Sequence, residues 1–239
     1  MRILKENERE IDILQKHIER VGQGGRPLQI LEAGCGRKWY FRMDGLKYEL
    51  TGIDLDGAAM DARLKQKGDL QRAIVGDLRT VELEPNSYDV IYNAYVLEHI
   101  PGAEKVLDNF MRWLKPGGIL ILTIPDRDSV HGLMTRMLPF YLHVLYYRWV
   151  WKLKEAGKPG FAPYPTFYDK VVSGRGMRAY AEKRRLIVRE ELGFGSYRRG
   201  NSPFFRALTP VFATFVSVLT FGRISAKHVD LAYVLEKPA

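Results

Sequence analysis

The chain has 239 residues, 46% apolar and 27% charged, which is enough to bury a sizeable core and is a poor composition for disorder. Its one cysteine, Cys35, excludes an intramolecular disulfide, and the opening "MRILKENEREIDILQKHIERV" lacks the apolar stretch of a signal peptide, so a cytoplasmic protein is expected. The net charge of +9 is uneven, with 18 Lys/Arg against 20 Asp/Glu in residues 1–126 and 19 against 8 in residues 127–239.

Residues 6–21 carry Ile11, Leu14, Ile18 and Val21 at helical spacing, which predicts an amphipathic helix that "GQGGRP" then breaks. Five apolar runs follow as strands: "LQILEAG", "YELTGIDLD", "QRAIVGD", "YDVIYNA" and "GILILTIP". Helical stretches separate most of them, such as "AEKVLDNFMRWLK" from Ala103 to Lys115. Nearly all-apolar strands alternating with helices predict an α/β fold with a parallel sheet covered on both faces. Ligands of such sheets sit at the carboxyl ends of the strands. After Pro125 the pattern changes to an aromatic and basic run, Leu133 to Lys154, then the Gly/Pro-rich "GKPGFAPYPTFYD". "GRGMRAYAEKRR" reads as a helix, "LIVREEL" as a strand, "SPFFRALTPVFATFVSVLTFGR" as a second apolar run and "HVDLAYVLEKP" as a closing strand.

"ILEAGCGR" ends an apolar strand in an acid and two glycines, the form of a strand delivering a nucleotide loop to the start of a helix. Gly34 and Gly36 allow close backbone approach to a ligand. A dinucleotide loop needs a third glycine, and Trp39 occupies that place. "LEAGCG", "GIDLD", "VGD", "SYDVIYNAYVLEHI" and "LKPGGILILTIPD", in that order over residues 28–126, resemble the class I SAM-dependent methyltransferases, nearest the ubiquinone/menaquinone-biosynthesis type.

The resemblance implies S-adenosyl-L-methionine (SAM) as cofactor. It also implies a Rossmann-like, seven-stranded, mostly parallel sheet flanked by helices, with the last strand antiparallel and a helical lid inserted after strand five. On that view residues 1–126 form the cofactor core, 127–170 the lid and 171–239 the completion of the sheet with an apolar helix, all in one overall domain. Glu32, Ala33, Gly34, Cys35 and Gly36 are the expected cofactor loop, with Asn93 nearby. The helix N-terminus behind the loop would meet the cofactor's carboxylate. Asp54 is expected to accept both ribose hydroxyls and Asp77 the adenine amino group, with the Leu78 backbone N–H beside it and Leu55 and Ile53 against the ring. Asp54 or Asp56 could instead cap the next helix, and Asp77 could be a turn residue. Lys38, Trp39, Tyr40 and Phe41 stand where many relatives have a glycine-bearing helix start, which would reshape the methionine pocket.

The expected catalytic residues follow strand four: Tyr95, Glu98 and His99. His99 is the natural base for a hydroxyl, since imidazole titrates near neutrality, and it reads equally as a hydrogen-bonding residue of the helix entry. Tyr164, Tyr168, His131 and His228 read as packing or surface. "NAYV" lacks the Asn/Asp-Pro-Pro-aromatic turn of base amino-methylation, Cys35 is committed to the loop, and Asp126 and Asp128 are a thin basis for a metal, so none is expected. Residues 140–151 hold Phe140, Tyr141, Tyr146, Tyr147, Trp149 and Trp151, with Arg136, Arg148, Lys152 and Lys154 among or beside them. Such mixtures suit a headgroup interface, and equally helices capping a substrate pocket. The uncharged run Ala207–Gly222 is short of a membrane span.

The expected activity is methyl transfer, by O-methylation, to a hydrophobic or amphipathic small molecule such as a lipid, quinone, polyprenoid or glycolipid. Peripheral contact with an anionic membrane at its inner face goes with it, and nucleic acid is the lesser expectation. The alternatives are an RNA or protein methyltransferase using the basic half, and a SAM-binding scaffold without turnover.

Overall fold

The computed structural model describes residues 1–149, 152–158, 161–197 and 203–239. Its strands are β1 (Arg2–Ile3), β2 (Leu28–Ala33), β3 (Tyr48–Asp54), β4 (Arg72–Val75), β5 (Tyr88–Ala94), β6 (Leu114–Pro125), β7 (Ile187–Phe194) and β8 (Asp230–Glu236). The helices are α1 (Glu10–Gly22), α2 (Gly57–Ala62), α3 (Ala103–Trp113), α4 (Val130–Met137), α5 (Phe140–Trp149), α6 (Gly174–Lys183) and α7 (Pro203–Leu219). The sheet order is β1-β7-β8-β6-β5-β2-β3-β4. All pairings are parallel except those of β8, which runs antiparallel to β6 on one side and β7 on the other.

Alternate residues of each central strand feed two cores. On β6, Leu120, Leu122 and Ile124 point into one core and Ile119 and Ile121 into the other. On β8, Leu231, Tyr233 and Leu235 alternate with Ala232 and Val234 in the same way. This is why the strands read as apolar runs rather than as alternation. The first core is closed by α3, through Ala103, Val106, Leu107, Phe110 and Trp113, and by Met177, Tyr180 and Ala181 of α6. The second is closed by Leu14 and Ile18 of α1 with Phe41 and Met60.

The aromatic run beyond Leu133 folds as two helices, since Pro139 has no N–H to continue α4. Two elements differ from the sequence expectation. The sheet has eight strands rather than seven, because Arg2 and Ile3 pair parallel with Leu192 and Gly193 at the β7 edge. Most consequentially, no helix follows the glycine loop: residues 34–47, between β2 and β3, contain neither helix nor strand. From Lys38 to Asp44 exposed residues alternate with Trp39, Phe41 and Met43, which turn inward. That period of two belongs to extended chain and cannot lie on one face of a helix. Phe41 and Trp39 pack edge-on to Tyr92, with ring centroids 4.8 and 5.8 Å away, and so plug the second core beneath the loop.

Trp113 has no exposed surface in the first core. Trp113→Ala is expected to lower unfolding free energy by about 3–5 kcal/mol, measured by urea denaturation.

Candidate active site

The site is built where β2, β3 and β5 end. Gly34 and Cys35 donate their N–H groups to the Ile53 carbonyl at 2.7 and 3.1 Å, which ties the loop to the end of β3. Gly34 has φ +74°, and a Cβ there would lie 2.3 Å from Val96 Cγ2, so packing alone demands glycine. Gly36 has φ +49°, and a Cβ there would meet nothing within 4 Å, so its backbone stands open to a ligand. Its N–H donates to Asp54 Oδ2 at 2.8 Å, and Asp54 Oδ1 accepts from the Asp56 N–H at 2.9 Å. Asp54 thus braces the loop while each oxygen keeps a free lone pair. Asp56, not Asp54, caps α2, accepting from Ala58 and Ala59.

Beneath the loop Arg63 is fully buried. It donates to Glu32 Oε2 at 2.5 Å, to the Cys35 carbonyl at 3.0 Å, and with Nε and Nη2 to Asp69 at 3.2 and 3.1 Å. The backbone makes room through a wide turn, in which the Gly68 N–H reaches the Arg63 carbonyl five residues back at 2.8 Å. Burial pushes the Glu32 carboxyl up to about 8 against the pull of Arg63. Burial raises the Cys35 thiol to about 12, so it is no nucleophile at neutral pH.

These elements wall a cavity of about 670 Å³. It brings together Glu32, Ala33, Gly34, Cys35, Gly36 and Tyr95 from the sequence-derived set, and adds Tyr92, Thr123 and the start of α1. Arg9, Arg37 and Lys38 also line it. No helix N-terminus stands behind the loop itself, so a ligand carboxylate would meet these side chains and the first turn of α1, with Arg9 and Arg37 3.8 and 3.7 Å from Asp12 and Asp56. A larger hollow of about 790 Å³, lined by Gln29, Glu49, Arg72 and Tyr88, lies at the amino ends of the strands. That end is the wrong one for a ligand of an open α/β sheet.

Other sequence-derived residues lie outside the lining. Leu55, at the end of β3, is 73% exposed, as an apolar residue awaiting a ring would be, whereas Ile53 is buried in the first core. Asp77 is held by Arg79, Nε to Oδ1 at 3.0 Å and Nη2 to Oδ2 at 2.5 Å, and this keeps its carboxyl below the usual range. Leu78 is buried, and its carbonyl accepts from Asn109 at 2.8 Å. Asn93 is fully buried and donates to the Ala33 carbonyl at 2.8 Å, while its Oδ1 has no partner among the described residues. Tyr95 has φ +56°, a strained conformation that presents a half-exposed ring to the cavity.

Glu98 and His99 sit on the short turn Leu97–His99. His99 Nδ1 lies 2.8 Å from the Pro165 carbonyl, which can only accept, so Nδ1 carries the proton and Nε2 the lone pair. Burial lowers the imidazole pKa, partly offset by that carbonyl. Glu98 Oε1 is 3.6 Å from Nε2, Oε2 has no partner among the described residues, and burial raises the carboxyl to about 8. Tyr164 meets the His99 ring edge-on at 5.8 Å, and the Phe167 N–H donates to the Glu98 carbonyl at 2.8 Å. The 161–168 loop therefore packs against this turn. Asp126 pairs with His228 at 2.8 Å and Asp128 with Arg175 at 2.9 Å. Sequence reasoning missed Arg63, because "RLKQK" reads as a solvated face.

Residues 31–122 match the family described as Methyltransferase domain. The chain carries a class I SAM-dependent methyltransferase domain. An S-adenosylmethionine-dependent methyltransferase from Mesorhizobium loti shares the fold, with a TM-score of 0.55 at 15% identity over 95% of this chain and 96% of that one. A phosphoethanolamine N-methyltransferase of Arabidopsis thaliana is 28% identical over 100 residues, 40% of this chain and 20% of that protein. A ubiquinone biosynthesis O-methyltransferase of Pseudomonas savastanoi is 29% identical over 117 residues, 46% of this chain and 49% of that protein. The matched segments thus span half or less of these curated relatives. The family and fold of the methyltransferase domain imply SAM as cosubstrate. The site fits it: open backbone at Gly36, a carboxylate at Asp54 for hydroxyls, exposed Leu55 for a ring, and cations at the mouth for a carboxylate.

Two outcomes test the methyltransferase site. Asp54→Ala should weaken SAM binding about tenfold or more by calorimetry, since it removes both the acceptor and the brace on Gly36. For Glu98, the folded carboxyl near 8 keeps a proton that the unfolded chain sheds at its ordinary value, so stability falls as pH rises between them. Glu98→Gln should therefore gain on the wild type by on the order of 2 kcal/mol between about pH 5 and pH 8 in urea denaturation.

Proposed function

We propose that the protein transfers a methyl group from SAM to a hydroxyl of a hydrophobic or amphipathic small molecule. The observation that carries this reading is His99, its Nδ1 2.8 Å from the Pro165 carbonyl and its ring packed against Tyr164 in a loop whose Phe161, Tyr164 and Phe167 are each about half exposed. Bound SAM supplies an already activated sulfonium methyl. What remains for the chain is to hold the acceptor in line, exclude water and take one proton. Asp54, Gly36 and the loop fix the cofactor end. Tyr95, held in its strained conformation at the end of β5, limits how an acceptor approaches. His99 Nε2 takes the acceptor proton, with the Glu98 carboxyl 3.6 Å away. The exposed aromatic residues of the 161–168 loop supply the apolar contacts for the acceptor's body. The O- and N-methyltransferase names among the relatives are compatible with a small-molecule acceptor.

Methyl-labelled SAM incubated with separated lipid, RNA, protein and polar-metabolite fractions tests the reading. Label in the lipid fraction is expected. Label in RNA or protein would favour the basic half as a polymer footprint, and no label anywhere would favour a scaffold. His99→Ala should lower kcat by about a hundredfold or more with SAM affinity unchanged. Full activity would reduce His99 to support of the loop.

A further inference from the structure

α5 buries none of its residues, and Tyr141, Tyr146 and Trp149 stand 61%, 51% and 81% exposed. Trp151, part of the same aromatic run, lies outside the described residues. α7 packs Ala213 and Val216 into a small cluster with Val130, Leu133 and Met134 of α4. Its opposite stripe, Leu208, Val211, Phe212, Phe215, Val218 and Leu219, is exposed at the spacing of one helical face. A surface helix in water places charge on that face, yet none occurs from Ala207 to Gly222. The surrounding charge is one-sided. Residues 129–168 and 195–229 hold ten of the chain's 37 bases and one of its 28 acids, leaving 27 of each elsewhere. The whole net charge of +9 therefore belongs to the segments that carry α4, α5 and α7. Lys152, Lys154, Arg223 and Lys227 are exposed there and have no acidic partner among the described residues.

We propose that the outward faces of α5 and α7 and the bases around them dock the protein on an anionic lipid bilayer. Apolar side chains enter the acyl boundary while Lys and Arg meet lipid phosphates. No described helix is long and apolar enough to cross a membrane, so the helices lie in the interface. A second copy would bring the same positive surface against itself. A nucleic acid would satisfy the bases and the aromatic rings but would leave Val211, Val218 and Leu219 without apolar cover. Docking deepens the proposed reading of an amphipathic acceptor, on which its purpose rests, but its test uses no methyl transfer.

The full chain is floated with vesicles of phosphatidylcholine alone and of phosphatidylcholine mixed with phosphatidylglycerol. Binding to the mixed vesicles is expected, weakened by salt but not abolished. Phe215→Glu with Val218→Glu should lower that binding about tenfold or more, with SAM affinity and Tm unchanged, since neither side chain is buried or near the cavity. Wild type that never floats, or a double variant that floats as well as wild type, overturns the proposal. So does a wild-type dimer, without vesicle affinity, that the double variant breaks. Vesicle binding without labelled lipid would leave the docking standing and remove the lipid acceptor, and labelled lipid without vesicle binding would do the reverse.

Discussion

Arg63, buried without exposed surface, donates at once to Glu32 at the end of β2, to the Cys35 carbonyl in the glycine loop and to Asp69 beyond the turn that carries it. Two segments about thirty residues apart, 32–35 and 63–69, are thereby fixed at one point under the cofactor loop. A guanidinium suits the task because its planar fork reaches several acceptors and it never deprotonates. Removing it would leave two carboxyl groups and a carbonyl facing a cavity, and breaking a buried pair in this way costs far more than the pair contributes in isolation. The loop geometry that exposes the Gly36 backbone, and through Asp54 the bracing of β3, rests on this contact.

Between Glu32 and Asp56 the chain does without the helix that a glycine loop commonly introduces. The aromatic residues that replace it occupy the space under the loop, with Phe41 and Trp39 against Tyr92. The site thereby gives up a helix dipole and gains side-chain cations. Arg9, Arg37 and Lys38 can move with solvent and salt in a way that fixed backbone N–H groups cannot.

The strands were legible because both faces of the sheet are covered, and a strand buried on both sides has no choice but to be apolar. The glycine loop and the Asp56 cap were legible because their chemistry is local. The missing helix was open to reading as well, in the alternation of "KWYFRMD", but the familiar strand–loop–helix pattern overrode it. Arg63 was not legible: an arginine among lysines reads as surface, and only tertiary structure supplies its two acids. The two-residue β1 was likewise beyond reach, since its pairing depends on β7 alone. The His228–Asp126 pair, with Ser225 Oγ 3.2 Å from His228 Nδ1, copies the residue types of a hydrolase triad. Its partners show a different use. Tyr197 bonds the Ser225 and His228 carbonyls and receives the Val130 N–H, so the cluster pins the start of α4 and the approach to β8 to the core.

β8 lies between β6 and β7 and bonds to both. During synthesis on a ribosome, the parallel half of the sheet can form once Pro125 has emerged, but β6 then presents an open, apolar edge. That edge stays open until residues 230–236, more than a hundred positions later, insert beside it. A nascent chain of this design spends its longest interval in a state prone to strand-to-strand aggregation. Dependence on chaperones, and the yield on recombinant expression, should follow the speed at which residues 126–236 are delivered, more than the stability of the finished fold.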